Sequence, residues 1–568
     1  MTQAAGDVIL GKMSDNTKRQ GTEKHPPVVA QFVLGTVAIE GRLDVTETAR
    51  TLMQHFLTGR IDRRQLMTRA AAAGIGVSAL GAFAVAPWKA YSASAQGSPT
   101  PSGDLVAAAS GDIDTLDPHV STKLLYGDMI RRPIYDCLVA YTEDLTYVGV
   151  LADSWENPDE QTYVFTLKSG ITYHDGSPFT AADVAFSFNR IVELDTVWAT
   201  RLANVDTVEA TDDTTVTVKL KAVQADFIDG LTQIAIMSEA VASSIETTPI
   251  GTGAFKFVEW VPNDHISLEA NPDYFVPGEP GLATLRFNIL VEPQVAITNL
   301  KSGDVQGVLT IPVAQVAAVE GDDSITVLNV PTSSINIFEM LGKNNEIIRS
   351  NARVRQALAM CLDKNAVQQT VFAGSGFPKW TFVGSTNWAY VDVPGYDYDP
   401  AGAKTILEEE GAGDLEFTVL CITGYPDSEG ASTIWQAGLA EAGVKLNIEV
   451  QELSVWGDNY RAHNYDVIWN VFPGFADPNY FVGLGLTPHL KDGWTNEEAA
   501  SLAASANQTL DMDVRKEQYA RLQEIFVQDL PIMVIQEAPK VSLTAPDVAG
   551  WEITPLSWVQ LHKVTIGA

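Results

Sequence analysis

The sequence predicts a mixed α/β protein of two lobes joined by two chain crossings, and three observations predict it. Up to about residue 333 short alternating runs dominate, from about 334 longer helical patterns alternate with strands, and residues 541–564 return to short β-like runs. The C-terminus is therefore expected to fold back into the first lobe, leaving the second as an insertion; two lobes joined by two strands make a hinge. A length of 568 residues already argues for more than one core, because single cores stop growing near ~250 residues. No fixed period of roughly 20–50 residues recurs, which argues against repeat architectures.

In chain order, residues 1–60 form a leader whose role the sequence does not reveal. Residues 61–95 contain Arg63-Arg64 followed by Leu66-Met67, an uncharged Ala/Gly-rich run over 70–86, Lys89 and the small-residue sequence Ala93-Ser94-Ala95. That order resembles a twin-arginine export signal; the competing reading is a buried Ala/Gly helix behind a solvated arginine pair. The run is too short and too weakly apolar to span a bilayer comfortably. Residues 96–103 read as a linker from their Gly, Ser and Pro content.

In the first lobe, Tyr163, Phe165 and Leu167 alternate along one strand and Val216, Val218 and Leu220 along another. Between them Thr180 and Asp183 give a helix-capping signal, followed by Val184, Phe188 and Ile191 at helical spacing. His174-Asp175-Gly176-Ser177-Pro178 is the turn before that helix and offers no metal-ligand set. Gly251-Thr252-Gly253 precedes an alternating strand (Phe255, Phe257), not a helix, so its glycines are expected to let two backbones approach closely, not to cradle phosphate.

In the second lobe, Val354, Ala357, Leu358, Cys361 and Leu362 predict one helix ending near Gly374. Asp399-Pro400 starts another, stopped at Gly411. Strands are expected at 415–422, 444–450, 465–471 and 532–536, with helices at 432–442 and 513–529. This helix-strand repetition indicates a sheet covered on its faces.

Composition narrows the function. A formal charge of −34 repels phosphate backbones and anionic lipids, which argues against nucleic-acid binding. Three cysteines, Cys137, Cys361 and Cys421, fit neither a disulfide framework nor a zinc site; they read as small buried hydrophobes, with one Cys361–Cys421 bridge left open. There is no G-x-S-x-G and no H-E-x-x-H, and the eight histidines are scattered, so neither catalytic machinery, metal nor cofactor is expected.

Seven strings then carry a resemblance. DIDTLDP (112–118), YHDGSPFTAADV (173–184), PIGTGAFKF (249–257), NPDYF (271–275), VRQAL (354–358), YDP (398–400) and DP (477–478) occur in that order. The set is similar to bacterial extracellular solute-binding proteins of family 5, the peptide/nickel-type receptors of ABC importers, over nearly the whole chain after the signal. The resemblance implies a Venus-flytrap (periplasmic-binding-protein) fold. Lobe I would comprise 104–333 plus 539–568 with an extra subdomain at about 142–233, and lobe II 334–538. It also implies a periplasmic, monomeric protein that encloses a small molecule or peptide and delivers it to a membrane permease driven by an ATPase.

Mapped by the same resemblance, residues 118–126 and 469–480 face the cleft, and the expected ligand-binding residues are Ser121, Tyr126, Trp469, Phe472, Phe475 and Asp477. The rings are equally what a strand core would contain. One departure stands out: where peptide receptors of the family commonly place an aspartate for the peptide α-ammonium, this chain has Gly474. A glycan fragment, an opine-like conjugate or a modified peptide thereby competes with an ordinary peptide as ligand. A sensory receptor is a second reading, and an exported hydrolase a remote third.

Overall fold

A computed structural model describes residues 101–567, apart from 122, 143–144 and 487–493. The expected leader, the export signal and most of the linker lie outside the described residues. Eleven strands form one sheet. Ten run in the order Lys445–Gln451, Glu416–Ile422, Val467–Phe472, Thr326–Glu339, Ile532–Thr544, Gly307–Ile311, Asp104–Ala109, Thr284–Ile289, His265–Ala270 and Phe255–Val261, and Phe377–Pro378 joins at Ile532–Thr544.

The fold is two-lobed because this sheet is covered in two separate places. At one end, Leu105, Phe255, Ile266 and Phe287 pack with Trp551, Val559, Leu561 and Val564 of the C-terminal segment. At the other end, successive side chains of Thr326–Glu339 point to opposite faces. Ile335 and Ile337 pack with Phe382, Tyr519 and Phe526, while Phe338 packs with Trp435, Val467 and Trp469. Each lobe contains parallel strands, as its helical crossovers require: Asp104–Ala109 beside Thr284–Ile289, and Glu416–Ile422 beside Lys445–Gln451.

Lobe I carries an extra antiparallel sheet, Ala152–Asp159, Thr162–Leu167, Thr215–Leu220 and Val205–Asp212 in that order. Its apolar face meets Val184, Phe188 and Ile191 of the Ala181–Leu194 helix. That helix begins with a capping box in which the Thr180 backbone N–H donates to Asp183 Oδ2 at 2.8 Å.

The subdomain is pinned to lobe I at Gly251 and Gly253. A Cβ on Gly251 would overlap the Ile134 carbonyl, and the Gly253 N–H donates to that same oxygen at 2.9 Å. His174 closes the contact: Gly251 N–H donates to its Nδ1 (3.3 Å), and Nε2 lies 2.9 Å from the Gly253 carbonyl. Burial holds the imidazole down to about 4, so it is neutral here. Gly251→Ala is expected to lower stability by about 3 kcal/mol through this backbone collision, read as a shifted urea midpoint; an unchanged midpoint would contradict the close approach.

Three expected elements differ in extent. The helix from 352 is two helices, Ala352–Met360 and Lys364–Thr370, because Asp363 accepts the Ala366 N–H and caps a new start. The helix expected at 432–442 begins earlier, at Pro426. The strand expected to end at Gln536 continues to Thr544, so both chain crossings are single long strands. Cys361 and Cys421 are free buried thiols, not a bridge.

Candidate functional site: the contact between the lobes

Thr326–Glu339 and Ile532–Thr544 are antiparallel neighbours on both sides of the crossing, but their register slips between Pro331 and Ile335. Pro331 stands directly opposite Pro539. Neither has an N–H, so the ladder is interrupted on both strands at the same level, and residues 332–334 bulge out of it. The freed groups are taken up locally. Thr332 Oγ1 donates to the Ala538 carbonyl (2.7 Å), Ser333 N–H to the Pro555 carbonyl (2.8 Å), and Ser334 Oγ lies 2.8 Å from Ser557 Oγ. Beside the break Lys540 donates to Asp128 (3.1 Å) and to the Ser557 carbonyl (2.7 Å). Glu537 is buried against Lys379 (3.0 Å) and the Ser385 hydroxyl (2.6 Å).

Farther from the crossing, residues 225–229 of the subdomain touch lobe II directly. The Asn479 side-chain amide donates to Asp226 (2.7 Å), Asp477 N–H to Asp229 (3.1 Å), and Ala225 N–H to the Asn507 carbonyl (2.9 Å). Asp477 is held by Arg515 at 2.8 Å, both side chains 3% exposed. Three carboxylates therefore meet where the lobes touch. Burial and the neighbouring Asp477 push Asp229 up to about 7, while Tyr141 (2.7 Å) and Tyr147 (3.4 Å) donate to it.

The six residues expected at a cleft fall in different places. Tyr126 is a core residue of lobe I whose hydroxyl donates to the Leu116 carbonyl (3.0 Å). Ser121 is buried, its hydroxyl on Asp114 (2.6 Å), and its carbonyl accepts from Trp198 Nε1 (3.0 Å). Trp469 is fully buried in one face of lobe II, although its Nε1 has no hydrogen-bond partner among the described residues. Phe472 and Phe475 pack against Phe481 on the other face. Asp477 alone of the six makes a direct hydrogen bond across the lobe contact, through its backbone, while its carboxylate is used by Arg515.

Gly474 sits under the C-terminal segment. Its N–H donates to Ser334 Oγ (3.2 Å), and an added Cβ would meet Leu556 Cα at 3.1 Å, the Pro555 carbonyl at 3.2 Å and Ser333 Cβ at 3.2 Å. Gly474→Asp, which restores the side chain common in peptide receptors, is therefore expected to cost about 1–3 kcal/mol and to create no ammonium site. Thermal melting with and without a dipeptide checks this; a dipeptide stabilising the variant and not the parent would contradict it.

Sequence reasoning missed the lobe I residues of this contact. Arg131 lies over the Trp198 ring at 4.8 Å, and Arg201 over the Tyr480 ring of lobe II at 4.1 Å. Arg132 is paired to Asp128 (2.8 Å) and lies 3.8 Å over Trp558. Only the adjacent pair Arg131-Arg132 just before Pro133 could have drawn notice, and nothing in it marks which arginine is paired. Among the described residues no group of three or more His, Cys, Asp and Glu side chains could hold a metal ion, and no helix is long and apolar enough to cross a membrane.

Residues 146–489 match the family of bacterial extracellular solute-binding proteins, family 5 Middle. The chain belongs to that family. A Brucella ovis protein, provisionally designated an ABC transporter peptide-binding protein, is 31% identical over 332 residues, 55% of this chain; the chain spans 62% of that relative's length. Two solved structures share the fold. The dipeptide-binding protein of a Pseudoalteromonas species, in complex with Met-Leu, superposes with TM-score 0.74 at 20% identity, covering 82% of this chain and 100% of the other. The binding protein AgaA of A. tumefaciens, in complex with agropinic acid, gives 0.72 at 22% identity over 82% of this chain and 100% of the other.

Proposed function

We propose that the protein is the solute-capturing subunit of an ABC importer. It holds a small solute, peptide-like or opine-like, between lobes that hinge at the facing prolines, and passes it to permease subunits without altering it. The observation that carries the reading is the paired break at Pro331 and Pro539 in the two strands that connect separately packed lobes. The lobe boundaries are placed there, at 333/334 and 538/539, with the extra subdomain at about 142–233. Family membership supports capture as the activity. The Met-Leu and agropinic acid complexes of its structural neighbours support a ligand of this size, and Gly474 argues against recognition of a free ammonium. Ser121, Trp469, Phe472, Phe475 and Asp477 act as supports of the closing surfaces.

Export by the twin-arginine route to the periplasm, and work as a monomer, belong to the same reading and rest on the sequence. Native mass spectrometry of freshly purified protein tests it. A retained small molecule, recovered chemically unchanged and rebinding to protein stripped of it, is expected. A compound turned over during incubation, or protein that binds nothing in a broad solute screen, would overturn the reading.

A further inference from the structure

Four arginines of the described residues are at least nine-tenths buried: Arg131, Arg201, Arg355 and Arg515. Arg355 donates to the carbonyls of Ile348, Arg349, Asp529 and Leu530. Arg515 donates to Asp477, the Tyr519 hydroxyl and the Ala506 carbonyl. Arg131 and Arg201, each 8% exposed, form no ion pair and no side-chain hydrogen bond among the described residues, and Nη2 of Arg201 is buried without a partner. A buried guanidinium normally takes a carboxylate, because desolvating a cation without compensation is costly. In a chain with 71 acidic and 37 basic side chains, leaving two such cations unpaired runs against the composition.

The two share one neighbourhood. Arg131 lies over Trp198, which stands on the same short helix, Val197–Leu202, as Arg201. Arg201 lies over Tyr480 of lobe II, and the Tyr480 hydroxyl also acts electrostatically on Arg131. Among the described residues none of the nearby acids is hydrogen-bonded to either arginine, although Asp229 acts electrostatically with Arg201 and Asp226, which accepts from Asn479 through Oδ2, keeps Oδ1 buried without a partner. Asp128 is shared by Arg132 and Lys540, Asp229 is occupied by Tyr141, Tyr147 and the Asp477 N–H, and Asp477 belongs to Arg515. Glycine backbones admit the side chains: a Cβ on Gly127 would meet Arg131 Nη2 at 3.4 Å, and one on Gly230 the Arg201 stem at 3.3 Å.

We infer that Arg131 and Arg201, flanked by Trp198 and by Tyr480 from the opposite lobe, bind an oxyanion of the captured solute, carboxylate or phosphate. The ligand is thus an anion, and it supplies the hydrogen-bonded oxyanion that the fold does not place on either guanidinium. The rings bury its flanks, and guanidinium forks suit either oxyanion. Because Tyr480 comes from lobe II, the pocket is complete only when the lobes are together, so the anion favours closure. This inference rests on the capture reading above.

The test uses the full chain and two variants, Arg131→Met and Arg201→Met. Without ligand, both are expected to melt higher than the parent, because an unpaired buried cation is replaced by an apolar side chain. Thermal shift and calorimetry then compare free-acid dipeptides, their C-terminal amides, small dicarboxylates, sugar phosphates and neutral sugars. Stabilisation is expected only from anionic probes, with binding weakened about 30-fold or more in each variant. The carboxylate and phosphate arms show which oxyanion is taken. Variants that melt lower while an anionic probe binds them as tightly as the parent would overturn the inference. So would a neutral amide or sugar that binds as well as its anionic counterpart; both results leave the capture reading standing. Failure of every probe and of the retained compound to bind would remove that reading and this inference together.

Discussion

Arg515→Met is expected to destabilise the protein by about 3–5 kcal/mol at pH 7.5, because it leaves Asp477 buried beside Asp226 and Asp229 without its cation. Size is nearly conserved, so the loss is electrostatic and not a cavity effect. Two signatures separate this from general damage. Adding Asp477→Asn to the variant should restore most of the loss, since the stranded charge is removed, and a double-mutant cycle reads that coupling. The deficit should also shrink as the pH falls toward 5 and the carboxyls take up protons. Urea unfolding at pH 5 and 7.5 provides both readings. A single variant within about 1 kcal/mol of the parent would show that the pair contributes little and that another contact holds the 477–480 loop.

The second large effect is on pH. Asp229 has a folded-state value raised to about 7 from the ordinary 3.8, chiefly by burial and then by Asp477, with Arg201 acting in the opposite direction. The groups facing it are Asp226, Asp477, Arg201, Tyr141 and Tyr147, with Arg515 behind Asp477. A raised acid binds more protons in the buried state than when exposed. Its stabilising contribution is therefore fully present below about pH 4 and is lost as the pH rises through about 7. Since Asp477 of lobe II stands against Asp229 and raises it further, closure is expected to take up a proton and to be favoured at pH 5.5 over pH 8. The full displacement corresponds to about 4 kcal/mol at 1.36 kcal/mol per pKa unit, of which about 2 kcal/mol at most falls between pH 5.5 and 8. Asp229→Asn should close well at both pH values and flatten the dependence. A parent whose compactness is the same at pH 5.5 and 8 would contradict this account.

Much of the architecture was legible because its signals are local. Alternation in 162–167 and 215–220, the Thr180/Asp183 cap and the Asp399-Pro400 start each depend on a few neighbouring residues, and each element is present. The Gly251/Gly253 close approach was legible too, since a strand after the glycines left no helix terminus for an anion. Continuity of the crossing strands was not. The strand expected at 532–536 stops before Pro539, and only pairing across more than two hundred residues reveals that this proline stands opposite Pro331.

The site was less legible still. Trp469 and Phe472, three positions apart, fall on opposite faces of one strand, and rings so placed suit a cleft wall and a strand covered on both faces alike; here they pack into separate clusters on the two faces. Arg131 and Arg201 lie 70 positions apart on unrelated elements, and what distinguishes them is that no acid near them is hydrogen-bonded to them, a property that belongs to the fold.

Hinged closure is tested most directly by a distance measured across the lobes. Spin labels at Glu193→Cys, on the subdomain helix, and Ala504→Cys, on the Glu497–Ala506 helix of lobe II, occupy exposed positions; the half-buried Cys137 is first replaced by Ser, and Cys361 and Cys421 are buried. Protein stripped by unfolding and refolding should show two separations; returning the extracted compound should empty the longer one. A single separation, identical before stripping, after stripping and after add-back, would show that the lobes do not move about the Pro331–Pro539 break.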